Sequence, residues 1–143
     1  MRNRFEKLGA DGAPANDPVE IMTARDVTTG LEWTVDNIGS KGMTWDAAKK
    51  ACAALTIGGH NDWRLPTVEE LFALADRSRF KPAIDVDVFP TTKSDWYWSS
   101  SPVASAPEDY AWLVLFHYGD SYYHLQYYTA FVRAVRSSSP ASQ

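Results

Sequence analysis

One cysteine, Cys52, stands in the chain's 143 residues, so no intrachain disulfide is possible and no zinc-ligand spacing is present. Basic residues are in deficit as well. Fourteen Lys and Arg against 18 Asp and Glu give a net charge of −4 and a pI near 5.3, without the positive field that a phosphate backbone attracts. Nucleic acid is therefore not an expected partner. Long apolar runs are missing too: none reaches the roughly 18 residues of a membrane span, and residues 1–17 are polar, without the apolar centre of a secretory signal. The expectation is a chain without membrane insertion, either cytoplasmic or delivered to a cell or virion surface by a partner. Its length matches one ordinary domain that can bury a core without metal or disulfide support.

What the chain has in excess is aromatic residues: six Trp, seven Tyr and six Phe. Residues 1–18, rich in Gly, Ala, Pro and Asn, read as a flexible arm. Residues 19–136 read as one domain and 137–143 as a disordered tail. Residues 19–25 have strand composition, and Asp26-Val-Thr-Thr-Gly30 supplies a turn before Leu31-Glu-Trp33. Thr44 caps a helix predicted over 45–55, with Trp45, Ala48, Cys52 and Leu55 on one face, Lys49 and Lys50 on the other, and Gly58-Gly59 beyond its end. Cys52 is thereby assigned to the core. Thr67-Val-Glu-Glu70 is a capping box opening a second helix with Val68, Leu71, Phe72 and Ala75 as its apolar stripe. Pro82, Asp85, Asp87 and Pro90 mark a long connecting loop. Strand composition returns at 96–100, 111–117, 122–128 and 131–135, with Tyr118-Gly-Asp-Ser121 as a hairpin turn. This order predicts an α+β fold in which two helices pack on a small antiparallel sheet with long irregular loops.

Several of these segments carry a resemblance: Asp26-Val-Thr-Thr-Gly-Leu-Glu-Trp33, Trp45-Asp-Ala-Ala48, Asn61-Asp-Trp-Arg-Leu-Pro-Thr67 with Glu70-Leu71, Trp96-Tyr-Trp-Ser-Ser-Ser101 and Phe131-Val-Arg-Ala-Val-Arg136. In this order they resemble the C-terminal domain of collagen-like bacterial adhesins, over about residues 20–136. The Asp-Trp-Arg-Leu-Pro-Thr block is the most specific part. The resemblance implies a C-type-lectin-like fold. Read physically, Trp63, Arg64, Pro66 and Thr67 are scaffold, an aromatic and a cap fixing how the chain enters a helix.

A second resemblance concerns residues 111–130, Ala-Trp-Leu-Val-Leu-Phe-His-Tyr-Gly-Asp-Ser-Tyr-Tyr-His-Leu-Gln-Tyr-Tyr-Thr-Ala. They look like the variable region of proteins diversified by retroelements, which mutate adenines of a template. An AAC codon then reaches Tyr, His, Asp, Ser, Leu, Phe and Gly. His117, Tyr118, Asp120, Ser121, Tyr122, Tyr123, His124, Leu125, Tyr127 and Tyr128 all lie within that set, whereas Gln126 requires a different codon.

Six of the seven tyrosines fall between Tyr110 and Tyr128, more clustering than a core requires. Strand alternation puts Trp112, Val114 and Phe116 toward the core and leaves Leu113, Leu115 and His117 outward. The pairs Tyr122-Tyr123 and Tyr127-Tyr128 each set at least one ring outward, so an exposed aromatic strip is expected. Tyrosine offers area and a hydroxyl at the loss of only two torsions, which suits recognition. The competing reading is rings half-buried against one another on a sheet. The candidate ligand-binding residues are therefore Leu113, Leu115 and the ten positions 117, 118, 120–125, 127 and 128, with a protein ligand expected first and a glycan second.

Calcium-dependent sugar binding needs clustered oxygen ligands. The Glu-Pro-Asn, Gln-Pro-Asp and Trp-Asn-Asp signatures are missing, and Asp85, Asp87, Asp95, Glu108 and Asp109 read as solvated surface. No metal and no cofactor are expected. Formylglycine-generating enzymes share the broad fold but use active-site cysteines, and Cys52 has no histidine at a related spacing among His60, His117 and His124. Ser99, Ser100 and Ser101 lack a nucleophile elbow. The expectation is a binding module without catalysis.

Overall fold

The structure, a computed structural model, describes residues 4–17 and 19–138. Each helix starts at its predicted cap. Thr44 accepts from the Ala47 N–H at 3.4 Å and opens α1 (Trp45–Ala53), which buries Ala48 and Cys52. Thr67 opens α2 (Val68–Leu74) with a complete capping box. Its hydroxyl accepts from Glu70 N at 3.2 Å, and the Glu70 carboxylate accepts from Thr67 N at 2.9 Å. Arg64 adds a two-pronged contact to the same carboxylate at 2.7 and 2.8 Å, so the loop before α2 is tied to its first turn. Burial raises the Glu70 pKa, but the bonds from Arg64 and Thr67 outweigh it and hold the carboxyl below its ordinary value. In α2 the buried positions are Leu71 and Leu74. Phe72, expected in the apolar stripe, turns outward under the Arg77 guanidinium at 3.7 Å.

The strands form two antiparallel sheets, where the sequence predicted one. Numbered in chain order, β1 (Phe5–Leu8), β2 (Thr23–Asp26), β3 (Leu31–Thr34) and β7 (Val135–Ser137) make the first, in the order β1-β2-β3-β7. β4 (Trp96–Pro102), β5 (Tyr110–Leu115) and β6 (Asp120–Leu125) make the second, in that order. The α+β class holds.

Other boundaries move. Residues 5–8, placed in a flexible arm by composition, form the edge strand β1, with Phe5 packed edge-on to Phe89 at 5.2 Å and Arg4 paired with the buried Asp26 at 2.7 Å. Ser137, placed in the tail, ends β7, and Ser138 N donates to Gly30 O at 2.7 Å; residues 139–143 of that expected tail lie outside the described residues. The closing strand comes later than expected, at 135–137. Residues 131–134 instead cross between the sheets, with Trp98 N donating to Phe131 O at 3.0 Å and Thr34 N to Ala134 O at 3.1 Å.

β4 and β5 are covered on both faces. Tyr97, Val114 and Phe116 pack with Leu71 and Leu74 of α2 and with Trp33 and Val135 of the first sheet. Trp98, Ala111 and Leu113 pack with Ala48 and Cys52 of α1 and with Trp63 and Val132. A strand buried on both sides loses its simple alternation. Among the described residues, no helix is long and apolar enough to cross a membrane.

Candidate ligand-binding surface

β6 is the outer strand of the second sheet, joined to β5 by the turn Phe116–Gly119. Gly119 closes that turn at φ +89°, with its N–H donating to Leu115 O at 2.8 Å, and Arg77 donates to the Gly119 carbonyl at 2.9 Å. The turn thus falls two residues earlier than the 118–121 hairpin the sequence suggested.

The register pairs Leu113 with Tyr122 and Trp112 with Tyr123. Consecutive residues of a strand point to opposite faces. Tyr122 accordingly meets Trp96 edge-on at 5.0 Å on one face, while Tyr123 meets Trp112 at 5.5 Å and Tyr110 at 5.7 Å on the other. The single outward strip expected from sequence is corrected to two aromatic patches, back to back across the edge of the sheet.

The candidate residues divide accordingly. Tyr118, Asp120, Ser121, Tyr122, Tyr123, Tyr127 and Tyr128 are exposed, with Tyr127 reaching 75 %. Leu115, His117, His124 and Leu125 are half-buried. Leu113 is 1 % exposed and is corrected to core: its face of β5, taken as outward, is covered by α1 and the 130–134 segment. His117 accepts from or donates to Ser94 Oγ at 2.8 Å through Nδ1, and its ring stands edge-on to Tyr118. The His124 ring stacks on Tyr128 at 3.9 Å, and its Nδ1 accepts from Leu125 N at 2.8 Å.

Two features of the surface were not singled out in the sequence. Trp96, Trp112 and Tyr110 complete the aromatic patches from neighbouring strands, which only the register reveals. Gln126 is the clip that holds the end of β6. Its side-chain amide donates to Pro107 O at 2.9 Å and Tyr110 O at 3.1 Å, its N–H to Asp109 O at 2.8 Å, and its carbonyl accepts from Trp45 N at 3.0 Å. The one position between His117 and Tyr128 with a different codon requirement is thus an internal fastening. Beside it, Thr44, Asp46, Glu108, Asp109, Leu125 and Tyr127 line an open cleft of about 390 Å³.

Cys52, on α1, is fully buried in the same cluster as Leu113, where desolvation pushes its thiol up to about 12. No group of three or more His, Cys, Asp or Glu side chains able to hold a metal occurs among the described residues.

Comparison with curated proteins gives no match. The family model of the Lcl C-terminal domain, however, matches residues 22–136, which span both helices, the whole β4-β5-β6 sheet, all of β2 and β3 and the first two residues of β7. That stretch is most of the chain and includes the capped α2, its Arg64 anchor and the aromatic edge, so the chain belongs to the Lcl C-terminal domain family.

Proposed function

We propose that this chain is a non-catalytic ligand-binding module of C-type-lectin-like fold that presents the aromatic edge around β6 to a protein ligand, without calcium, as a variable protein of a diversity-generating retroelement. The observation that carries the reading is the exposure of five tyrosines, Tyr118, Tyr122, Tyr123, Tyr127 and Tyr128, within eleven consecutive residues at one sheet edge. Contiguous exposed aromatic surface marks interaction sites, and well-packed tyrosine anchors contribute about 2 kcal/mol each in complexes. The scaffold beneath is fixed by caps, two core layers and the Gln126 clip, so side chains on β6 can vary without disturbing it. Two short helices on small antiparallel sheets, with the first and last strands in one sheet, support the lectin-type assignment. A buried, poorly ionised Cys52 supports a role without thiol chemistry.

A glycan is the second reading. It is favoured by the open cleft that exposed Tyr127 lines together with Glu108 and Asp109, which offers an aromatic ring and acceptors suited to a sugar. Two measurements separate these readings. Neighbouring DNA should carry a reverse transcriptase gene and a near-copy of the codons for residues 111–136 that differs at adenines; finding neither removes the retroelement reading. Pull-down should be compared with the Tyr122→Ala/Tyr123→Ala protein, and glycan-array binding with the Tyr127→Ala protein. A protein partner lost on the former substitution supports the first reading, and an array signal lost on Tyr127→Ala supports the second. A protein partner that survives the former substitution defeats the first reading, and an array signal that survives the latter defeats the second.

A further inference from the structure

The edge of β6 has a hydrogen-bonding pattern and a charge that together specify the kind of partner. Gln126 N donates to Asp109 O, which makes residues 109 and 126 a hydrogen-bonded pair. In an antiparallel ladder such pairs alternate with non-bonded ones. By the observed register, Tyr122 and His124 therefore bond to β5, whereas Ser121, Tyr123 and Leu125 direct their backbone groups away from it. Leu125 is already satisfied: its N–H meets His124 Nδ1, and its carbonyl accepts from Tyr128 N at 3.0 Å. Ser121 and Tyr123 remain, with outward N–H and C=O groups flanked by the Trp96-Tyr122 patch on one face and the Trp112-Tyr123 patch on the other.

Within the sheet the charge has one sign, and the basic group that reaches its β5–β6 turn is Arg77, bound to the Gly119 carbonyl. Residues 94–132, which contain the entire sheet, hold Asp95, Glu108, Asp109 and Asp120 and neither lysine nor arginine. All four carboxylates are exposed, and none forms an ion pair among the described residues. Asp120 begins β6, and Glu108 and Asp109 lie at its other end, where Gln126 bonds to Asp109.

We infer that the partner contributes an extended, positively charged peptide segment that adds to the sheet as a fourth strand beside β6. Its backbone pairs with Ser121 and Tyr123, alternate side chains settle on the two aromatic patches, and Lys or Arg side chains meet the carboxylates at the two ends. The inference rests on the tyrosine-surface reading above and adds the chemistry of the ligand. It also sets this edge against polyanions, which the same carboxylates repel.

The test is to pan a displayed library of random linear dodecapeptides on the full chain and synthesise the recovered binders. Expected are peptides enriched in Lys and Arg whose affinity falls at least about tenfold between roughly 50 and 500 mM sodium chloride. Affinity should also fall at least about tenfold on the Asp109→Asn/Asp120→Asn protein. Methylating single backbone nitrogens should abolish binding at alternate peptide positions only, the signature of strand pairing. Recovery of no binders, of neutral or acidic binders, or of binders indifferent to methylation at every position overturns the inference. Binders that lack basic residues yet fail on Tyr122→Ala/Tyr123→Ala protein overturn it while leaving the tyrosine surface in place. Binders that hold equally well to that variant overturn both.

Discussion

Tyr122 and Tyr123 are neighbours in the chain but stand on opposite faces of the same sheet, the first 5.0 Å from Trp96 and the second 5.5 Å from Trp112. A ligand reaching both rings must straddle the strand edge, because β5 and its covering layers separate the two faces farther in. The core begins one residue pair inward: Leu113, the register partner of Tyr122, is 1 % exposed, whereas Tyr122 is 45 % exposed.

That boundary gives a direct expectation for stability. Tyr122→Ala and Tyr123→Ala should each lower the unfolding free energy by about 1 kcal/mol or a little more, since the first loses one edge-on aromatic contact at the surface and the second loses two. Leu113→Ala should lower it by about 2–5 kcal/mol, since it opens a cavity between α1 and the sheet. Urea denaturation of the three variants checks this. Comparable losses at all three positions would place Tyr122 and Tyr123 in the core after all.

Much of the scaffold was legible because its signals are local. A cap acts on residues within one turn, so Thr44 and Thr67 located both helices, and Asp26-Val-Thr-Thr-Gly30 located the β2–β3 turn. The tyrosine cluster likewise pointed to β6. What sequence could not give was set by distant partners. Phe5 pairs with Asp26 across 21 positions, so a polar leader reads as an arm until its partner is known. Alternation along β5 failed because both of its faces are buried, and Leu113 and Val114 are equally core. Gln126 looked like one polar residue among tyrosines; its four backbone and side-chain fastenings involve residues 16 or more positions away.

The thiol of Cys52 is enclosed by the α1 side of the core and pushed up to about 12 by desolvation. At pH 8 it should therefore be protonated and out of reach of reagents. A disulfide or maleimide reagent is expected to leave the folded chain unlabelled for hours and to label it fully in denaturant. Rapid stoichiometric labelling without denaturant would show that the thiol is reachable and restore it as a candidate nucleophile.

Glu70 links the α2 cap to Arg64, and its carboxyl is held below its ordinary value. Burial alone would raise it, so the net lowering measures how strongly Arg64 and Thr67 favour the charged form. A carboxylate depressed in the folded state contributes stability above its unfolded pKa, near 4.5, and loses it as pH falls through the folded value. Stability should accordingly decline below about pH 4.5. Glu70→Gln should lower stability by about 1–3 kcal/mol at pH 7, with the gap to the parent chain closing as the pH approaches 3. Denaturation midpoints across that window check it, and a gap independent of pH would mean that Glu70 acts through shape rather than charge.

Arg133 poses the opposite case, a buried charge without a carboxylate beside it. It is 1 % exposed, with its guanidinium 4.7 Å from the Phe89 ring centre and 5.6 Å from that of Tyr97. Nη2 donates to Val35 O at 3.2 Å and Thr92 Oγ1 at 2.8 Å, while Nε and Nη1 have no partner among the described residues. Desolvation lowers its pKa to about 10, so it stays charged at neutral pH and does so against the folded state. Above about 10 the unfolded chain keeps a proton that the folded chain gives up, so this residue's contribution to stability rises with pH from there. Removing the charge while keeping the volume should then be harmless: Arg133→Met is expected to leave the unfolding free energy unchanged or raise it by roughly 1 kcal/mol. Arg133→Ala removes the same charge but leaves a void between Phe89 and Tyr97, and should lower it by about 3 kcal/mol. A loss above about 2 kcal/mol for Arg133→Met in urea denaturation would show that the two ring contacts and two hydrogen bonds outweigh the desolvation of the guanidinium.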